Sequence, residues 1–201
     1  FLERIQEYEA ILDESTIFLV RTQGVGYAKA EEMINHGVSG PNVRAAGHNY
    51  DVRWAPPYSV YDELDWEPSV ERPSIKGSDC YDRYRVRVEE MRQSALMILD
   101  GLDKMPGGAD THYQSGDPAI IGKAPARAAE GQTGFHHFED SRGESMFYLA
   151  GGGEERGKHP YRVSIRSPMF ITIPYAAKCM IGYKIADIPA TVSYTHLTMP
   201  T

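Results

Sequence analysis

A run of apolar residues at helical spacing between Ser78 and Met105 limits the possible folds of this sequence more than any other feature. Alternating steps of three and four residues place its members on one stripe of an α-helix about seven turns long: Tyr81, Tyr84, Val88, Met91, Ala95, Ile98, Leu102 and Met105. Ser78 or Asp79 can cap its start, and residues 106–108, Pro-Gly-Gly, end it. Such a stripe needs a partner of similar length, so the sequence predicts packed helices.

The other faces of this helix carry charged residues. We expect a solvated face with an Arg85–Glu89 pair four residues apart, or alternatively arginines that dock a neighbouring protein chain. The residues concerned are Asp82, Arg83, Arg85, Arg87, Glu89, Glu90 and Arg92.

Periodicity and turn residues predict the remaining elements. Helices are expected at 1–12, 28–36 and 172–183, with Pro174 in the first turn of the last one. Strands are expected at 17–20, 145–150 and 161–166, and the last two form a hairpin; 185–192 is a final extended piece. Residues 37–77 are expected to be irregular and anchored by Tyr50, Trp54, Tyr58, Tyr61 and Trp66, and residues 106–134 form a surface or interface loop.

Composition excludes several classes of protein. With 28 acidic and 21 basic side chains, the net charge of -7 argues against a nucleic-acid partner. Cys80 and Cys179 lie far apart in the sequence, which disfavours a disulfide scaffold or a self-contained metal site and is typical of a reducing compartment. The longest apolar stretch, 169–181, is interrupted by Pro174 and Lys178 and is too short to span a membrane.

Familiar catalytic motifs are missing from the sequence. It contains no Gly-x-Ser-x-Gly elbow and no Walker loop, and Gly24-Val-Gly26 lacks the third glycine of a dinucleotide fingerprint. Of seven histidines, only His136 and His137 adjoin, and neighbours on a strand point to opposite sides. A structural or surface role is therefore favoured over a metal site for these histidines.

One local group of charges stands out in the segment from Glu139 to Glu144, which includes Arg142 and Gly143. A solvated charged turn is the simpler interpretation. Alternatively, Arg142 holds its guanidinium against another backbone or a buried charge.

Several stretches of the chain, in order, resemble one family, the 49-kDa component of respiratory complex I, the NADH:quinone oxidoreductase. Residues 77–94 carry the resemblance most strongly. The other stretches are 21–26, 30–32, 37–41 with Arg44 and Gly47, 50–53, 57–62, 135–144, 160–168 and 185–188. The resemblance spans roughly residues 1–192, which we expect to be one partial domain, with 193–201 as an unrelated or disordered tail.

The resemblance implies an α+β fold that is mainly α, a long-helix bundle with a small β portion, as in large subunits of nickel–iron hydrogenases. It implies a quinone-site component of the peripheral arm that couples electron transfer from NADH to quinone reduction and proton translocation. The resemblance further implies that NADH is oxidised elsewhere, at FMN, and that FMN and the iron–sulfur clusters lie in partner subunits.

The resemblance also implies partners and a location. The implied partners are the small iron–sulfur component, which complex I nomenclature letters B, the neighbouring component lettered C, and the membrane arm. The implied location is peripheral, on the cytoplasmic face of a bacterial inner membrane or on the matrix side of a mitochondrial one.

Three residues become candidates for the quinone cavity through the resemblance. The family segment that matches 139–144 reads Glu-Ala-Pro-Arg/Lys-Gly-Glu, so Arg142 corresponds to an arginine that overhangs the active site in related hydrogenases. Glu144 is its possible partner, and Asp187 matches the aspartate of an Ala-Asp segment. Asp140 and Ser141 replace the usual Ala-Pro, which is a departure from the family pattern.

The family's upstream third, with a His-rich loop and a tyrosine that contact the quinone headgroup, has no counterpart before Phe1. The usual Glu-Val-Asp-Arg ending is replaced by residues 193–201. We therefore expect no cofactor bound by this chain and no turnover by it alone.

Two alternatives remain open. One is the large subunit of a membrane-bound, energy-converting nickel–iron hydrogenase, whose nickel needs two Cys-x-x-Cys pairs. The other is a non-catalytic scaffold module that binds iron–sulfur subunits.

Overall fold

The computed structural model describes residues 1–70, 77–105, 130–153 and 159–195. The helices are α1 (Leu2–Asp13), α2 (Thr16–Thr22), α3 (Ala30–Asn35), α4 (Pro41–Ala45), α5 (Cys80–Lys104), α6 (Met169–Cys179) and α7 (Ile188–Thr195), with a 3₁₀ turn at Ile185–Asp187. The strands are β1 (Ala28–Lys29), β2 (Gly77–Ser78), β3 (Thr133–Asp140), β4 (Gly143–Ala150) and β5 (Arg162–Arg166). Of the predicted tail at 193–201, residues 193–195 belong to α7. Residues 196–201 lie outside the described part of the chain, as do 106–129 of the predicted loop at 106–134 and residues 154–158.

Helix α5 confirms the helix predicted between Ser78 and Met105, and Asp79 is its cap. Asp79 Oδ1 accepts a hydrogen bond from the Asp82 amide at 3.0 Å, and Asp82 Oδ2 accepts one from the Asp79 amide at 3.0 Å. Asp79 Oδ2 also accepts a 2.7 Å hydrogen bond from the Gly24 amide. The cap therefore starts the long helix and ties it to the segment before β1.

The predicted apolar stripe of α5 is buried only along its first half. Tyr84 and Val88 pack with Ile5 of α1, whereas the exposed fractions are 64% for Ile98 and 58% for Leu102. The partner of similar length that the sequence predicts for this stripe is not found among the described residues. Because α1 has 12 residues against 25 in α5, the described part of the chain holds no helix long enough to cover the whole stripe.

The charged face predicted for α5 is also only partly solvated. Arg83 is 1% exposed, and Val86 beside it is buried. The prediction was wrong for Arg83, because β2 and α7 pack against α5 and the Arg83 guanidinium binds the Ser78 and Gly26 carbonyls.

Residues 17–20 form part of helix α2, so the strand predicted there was wrong. Ser15 caps the helix by accepting a hydrogen bond from the Phe18 amide at 3.3 Å. The Phe18 ring packs edge-on against Tyr84, with 5.1 Å between ring centroids. The cap and this packing outweigh the strand preference of a short β-branched run.

A second core joins α3, α4 and α6. Its buried members are Ala28, Met33, Val38, Val43, Ala46, Tyr175 and Cys179. Helix α3 confirms the helix predicted at 28–36, and Gly37 follows it with φ of +72°. The helix predicted at 172–183 is present but begins at Met169, so Pro174 lies inside it rather than in its first turn.

Residues 185–195 are helical, so the extended piece predicted at 185–192 was wrong. Asp187 Oδ2 accepts a hydrogen bond from the Lys184 amide at 3.3 Å, and Thr191 donates to the Asp187 carbonyl at 3.1 Å. Helix α7 packs against α5 and α6 and buries Thr191, whereas Ile185 and Ile188 stay exposed.

The three-stranded antiparallel sheet has the order β3-β4-β5. The predicted hairpin of β4 and β5 is confirmed, with Phe147 opposite Ile165. Strand β3 was not predicted. It pairs with β4 along its whole length and ends with Asp140 opposite Gly143. The segment from Glu139 to Glu144 is therefore a tight turn between two paired strands.

The segment between α4 and β2 is irregular where it is described, as predicted. Trp66 is 6% exposed, packs edge-on against Trp54 and contacts Tyr61. The predicted aromatic anchors are thus confirmed for these three residues. Helix α4 was not predicted; Pro41 stands at its first position, where a missing amide hydrogen costs nothing.

Within the described ranges, none of the helices combines the length and the apolar character needed to cross a membrane.

Replacing Asp79 with alanine should lower the free energy of unfolding by about 1–2 kcal/mol, because the cap of α5 is lost. Urea unfolding followed by circular dichroism measures the change. Asp62→Ala is the control, since Asp62 is exposed, and it should change stability by less than about 0.5 kcal/mol. Equal stability of the two variants would contradict the role of the cap.

Candidate functional site

The β3–β4 turn docks on the loop before α4 through two glycines. A Cβ atom on Gly40 would lie 2.3 Å from Gly143 Cα, and one on Gly143 would lie 2.7 Å from Ser39 Oγ. Both glycines have positive φ, +76° and +127°. The Glu144 amide donates a 2.9 Å hydrogen bond to Ser39 Oγ. This close backbone contact brings the charged residues of the turn over α4 and the loop that follows it.

Arg44 of α4 gathers three carboxylates from three segments. Its Nε donates to Glu90 of α5 at 2.7 Å, and its Nη1 donates to Glu139 of β3 at 2.9 Å and lies 3.2 Å from Asp51. The same Nη1 donates to the Tyr50 carbonyl at 2.9 Å. The Arg44 side chain is 1% exposed. Burial lowers the pKa of Arg44, but the three carboxylates outweigh it and raise the pKa above the ordinary value, so Arg44 is charged. We call Arg44, Asp51, Glu90 and Glu139 the Arg44 cluster.

Arg53 supports this cluster from the outer side. It donates to both carboxylate oxygens of Asp51, at 2.9 and 2.6 Å. Its guanidinium lies 4.8 Å from the centre of the Trp66 ring. Burial raises the pKa of Asp51, but Arg53 and Arg44 outweigh it and hold this pKa below its usual range. Asp51 is therefore an anion fixed between two arginines.

Glu139 is the unusual member of the Arg44 cluster. Burial raises its pKa from 4.5 to about 7, against the opposing charge of Arg44. Its Oε2 atom is buried and has no hydrogen-bond partner. Between about pH 4.5 and about pH 7, Glu139 of the folded protein therefore holds a proton that an unfolded chain releases. The stability this contributes is lost as the pH rises through about 7.

Glu144 joins a neighbouring group of polar side chains. His137 Nδ1 lies 2.6 Å from its Oε1, the Tyr50 hydroxyl donates to its Oε2 at 2.9 Å, and Arg166 Nη1 lies 3.5 Å from that oxygen. Burial and the hydrogen bond to Glu144 raise the pKa of Tyr50 to about 12. A cavity of about 190 Å³ opens here, lined by Ile34, Gly37, Val38, Ser39, Val43, His48, Tyr50, Glu144 and Arg166.

Arg142 lies at the tip of the β3–β4 turn and is close to the arginines of α5. Burial and the charges of Arg83, Arg142 and Arg44 lower the pKa of Arg87, while Glu90 raises it. Arg83 donates to the carbonyls of Ser78 and Gly26, at 3.3 and 2.7 Å. The turn and the first half of α5 together form a positively charged region that can stabilise negative charge nearby.

The structure brings Arg142 and Glu144 together on one turn but places Asp187 elsewhere. Asp187 pairs with Arg21 at 3.1 Å and is 8% exposed. A Cβ atom on Gly26 would lie 2.9 Å from Thr191, one turn after Asp187, and the Gly26 carbonyl binds Arg83. Asp187 thus lies on the Arg83 side of α5, whereas Arg142 lies near Arg87.

The interpretation of the 139–144 segment as a solvated turn holds for Asp140 and Ser141, which are exposed, but was wrong for its two glutamates. Glu144 is 4% exposed, and the Glu139 side chain is 3% exposed. His137 binds Glu144, whereas His136 faces the other side of β3 and packs against Phe138 and Tyr58. Among the described residues, no three His, Cys, Asp or Glu side chains are placed to hold a metal ion.

Sequence reasoning did not select Arg44, Asp51, Arg53 or Tyr50 as site residues. A usable signal was present: charged residues repeat within a short segment rich in glycine and proline, between residues 37 and 57. Arg44 binds Glu90 and Glu139, which are 46 and 95 positions away, and Tyr50 binds Glu144, 94 positions away. No local pattern could name these distant partners.

This mixed α+β fold is that of a subunit of respiratory oxidoreductases, and the predicted fold class is confirmed. The chain superposes on a chain from the "membrane-bound sulfane sulfur reductase (MBS), an archaeal respiratory membrane complex" with a TM-score of 0.79. The identity is 31%, and the match covers 98% of this chain and 50% of the other. The family model described as "Respiratory-chain NADH dehydrogenase, 49 Kd subunit" matches residues 1–201, and the chain belongs to this family.

Curated relatives carry matching names. A D-type subunit of the NADH-quinone oxidoreductase from Roseiflexus sp. (strain RS-1) is 37% identical over 96% of this chain and 50% of its own length. An H-type subunit of the NAD(P)H-quinone oxidoreductase from Gloeobacter violaceus is 36% identical over 98% and 52%. The resemblance found in the sequence is confirmed. This chain spans about half the length of these relatives.

Gly143→Ala should destabilise the protein by about 2–4 kcal/mol, because the new Cβ atom collides with Ser39 and the backbone is strained at φ of +127°. Thermal unfolding of the purified protein measures this loss. Gly131→Ala is the matched control, since Gly131 also has positive φ but has open space around its Cα. A similar loss in both variants would show that backbone strain, and not docking of the turn, is responsible.

Arg44→Met should lower the free energy of unfolding by about 3–5 kcal/mol, because it leaves buried carboxylates without their cation. Arg4→Met should change it by less than about 1 kcal/mol, since Arg4 forms an exposed pair with Glu7. Denaturant titration of both variants gives the comparison. An Arg44 variant as stable as the Arg4 variant would contradict the structural role of the cluster.

Proposed function

We propose that this chain is part of the quinone-site component in the peripheral arm of an NADH:quinone oxidoreductase. In this role it couples electron transfer from NADH to quinone reduction and proton translocation. Membership of the 49-kDa family supports the proposal, as do the names of the relatives from Roseiflexus and Gloeobacter, both of which are quinone oxidoreductase subunits.

The observation that carries the proposal furthest is the position of the β3–β4 turn. The turn holds Arg142 beside Arg87, at the positively charged region of α5. Reduction of a quinone adds negative charge before protons arrive, and fixed guanidinium groups stabilise such charge without reorganising. We therefore place Arg142 at the quinone cavity. Glu144 follows it on the same turn.

Glu144 and Asp187 have supporting roles in this proposal. Glu144 orients His137 and Tyr50 by accepting from both, at 2.6 and 2.9 Å. Asp187 fixes Arg21 at 3.1 Å, and Arg21 also binds the Ala186 carbonyl. We infer that Asp187 positions the segment after α6 rather than contacting quinone.

The proposal assigns the other redox groups to partner subunits. FMN and iron–sulfur clusters would reside there, and the partners would be the small iron–sulfur component lettered B, the component lettered C and the membrane arm. We propose a peripheral location on the cytoplasmic face of a bacterial inner membrane, or on the matrix side. We also propose that residues 1–192 are the complex I-like domain and that this chain alone reduces no quinone.

The archaeal structural neighbour favours a second candidate function. That protein belongs to a complex named as a membrane-bound sulfane sulfur reductase, and it is 31% identical to this chain. A sulfur substrate would then replace quinone as electron acceptor. The assembled native complex, supplied with reductant and either quinone or a sulfane sulfur compound, distinguishes the two functions by which acceptor is consumed.

Arg142→Met in the assembled complex should lower the rate of NADH:quinone reduction about tenfold or more, because positive charge is lost where the substrate becomes negative. Reduction of an artificial acceptor at the flavin should stay unchanged. Steady-state assays of both reactions measure the effect.

Two further variants complete this test. Arg142→Lys should keep most of the activity, since it keeps the charge. Arg162→Met removes an exposed arginine of β5 and should have no effect. Full quinone reduction by the Arg142→Met complex would refute the role of Arg142.

A further inference from the structure

We propose that Glu139 is a buried proton-binding site, created by the Arg44 cluster and separate from the Arg142 turn tip. The carboxylate takes up one proton at Oε2 and releases it again, while Arg44 remains charged and in place. The proton comes from and returns to solvent water, and no other bond changes.

The first reason is that Nη1 of Arg44 has fewer hydrogen-bond donors than there are acceptors around it. One guanidinium Nη atom carries two hydrogens. Nη1 of Arg44 faces three acceptors: the Tyr50 carbonyl at 2.9 Å, Glu139 Oε1 at 2.9 Å and Asp51 Oδ2 at 3.2 Å. Two donors cannot fully serve three acceptors, so one carboxylate is left short of hydrogen bonds.

The second reason is that Asp51 is compensated and Glu139 is not. Asp51 also accepts from Arg53, at 2.9 and 2.6 Å from the side chain and at 2.9 Å from the amide. The Oε2 atom of Glu139 has no hydrogen-bond partner, although the side chain is only 3% exposed. A buried anionic oxygen without a partner costs more than a neutral hydroxyl, so protonation at Oε2 is favoured.

The other nearby carboxylates do not share this situation. Both oxygens of Glu144 have partners, His137 on one side and Tyr50 with Arg166 on the other. Glu90 receives the 2.7 Å hydrogen bond from Arg44 Nε, and its side chain is 19% exposed. Among the carboxylates of this charged region, Glu139 is therefore the one whose protonation is most favourable.

Charged and titratable groups of several segments surround Glu139. Arg44, Tyr50, Asp51, Arg53 and Tyr58 interact with it electrostatically. Glu144 stands opposite it in the β3–β4 register, and Glu90 shares Arg44 with it. The pKa of about 7 that burial gives Glu139 is consistent with proton exchange near neutral pH.

Two tyrosines connect this site to its surroundings. The Glu139 amide donates to the Tyr58 hydroxyl at 3.1 Å, and Tyr58 is only half-buried. Tyr50 links Arg44, through its carbonyl, to Glu144 and the 190 Å³ cavity, through its hydroxyl. The backbone of Glu139 and its partner Arg44 thus each lie one tyrosine away from less buried surroundings.

Infrared difference spectroscopy on the assembled complex tests the proposal. Spectra taken at about pH 6 and about pH 8 should differ by the C=O stretch of a protonated carboxyl, because these values bracket the pKa of about 7. This band should be lost in Glu139→Gln. Glu90→Gln is the matched control, since Glu90 binds the same arginine, and it should keep the band. Persistence of the band in Glu139→Gln would overturn the proposal.

A second variant tests the site without changing Glu139. Asp51→Asn removes a negative charge that raises the pKa of Glu139. The pH at which half of the band is lost should therefore move about one unit towards acid. An unchanged midpoint in an assembled Asp51→Asn complex would contradict the proposal, and this result does not depend on whether Glu139→Gln assembles.

The proton site stands apart from the proposed function, and the measurements keep the two separate. If the wild-type complex shows the band but reduces no quinone, the proposed function fails and the proton site holds. If it reduces quinone and the band is unchanged in Glu139→Gln, the proton site fails and the function holds.

Discussion

The buried guanidinium of Arg44 is the interaction on which the rest of the site depends. It joins α4 to α5 through Glu90, to the sheet through Glu139 and to the following loop through Asp51. A buried arginine is tolerated only when charge and hydrogen bonds compensate its desolvation. Three carboxylates provide that compensation, and in doing so they fix the relative position of segments that are far apart in the chain.

The arrangement has a consequence for the neighbouring groups. Because Arg44 and the glycine contact hold the β3–β4 turn against α4, Glu144 is buried beside Tyr50, and Arg142 lies near Arg87. The turn thus separates two environments. On one side, carboxylates compete for the few hydrogen-bond donors of Arg44. On the other side, the positive charges of the arginines repel one another. Such opposed environments, held by one rigid turn, are typical of functional sites.

Sequence patterns predicted the fold in part. The spacing of apolar residues found α5 and α1, and alternation found β4 and β5, because these signals lie within one element. The same reasoning gave a strand for α2, where a Ser15 cap and packing on Tyr84 prevail. It also missed β3, whose eight residues form a strand by pairing with β4.

For this protein, the sequence by itself determined the family, the long helix with a cap at Ser78 or Asp79, and the segment around Arg142 as a place to look for function. Only the tertiary structure decided that Glu139 and Glu144 are buried, and that Arg44 binds partners up to 95 positions away. The physical reason is that burial and pairing of charges are set by contacts between distant segments. Local periodicity predicts the secondary structure of one element and contains no information about those contacts.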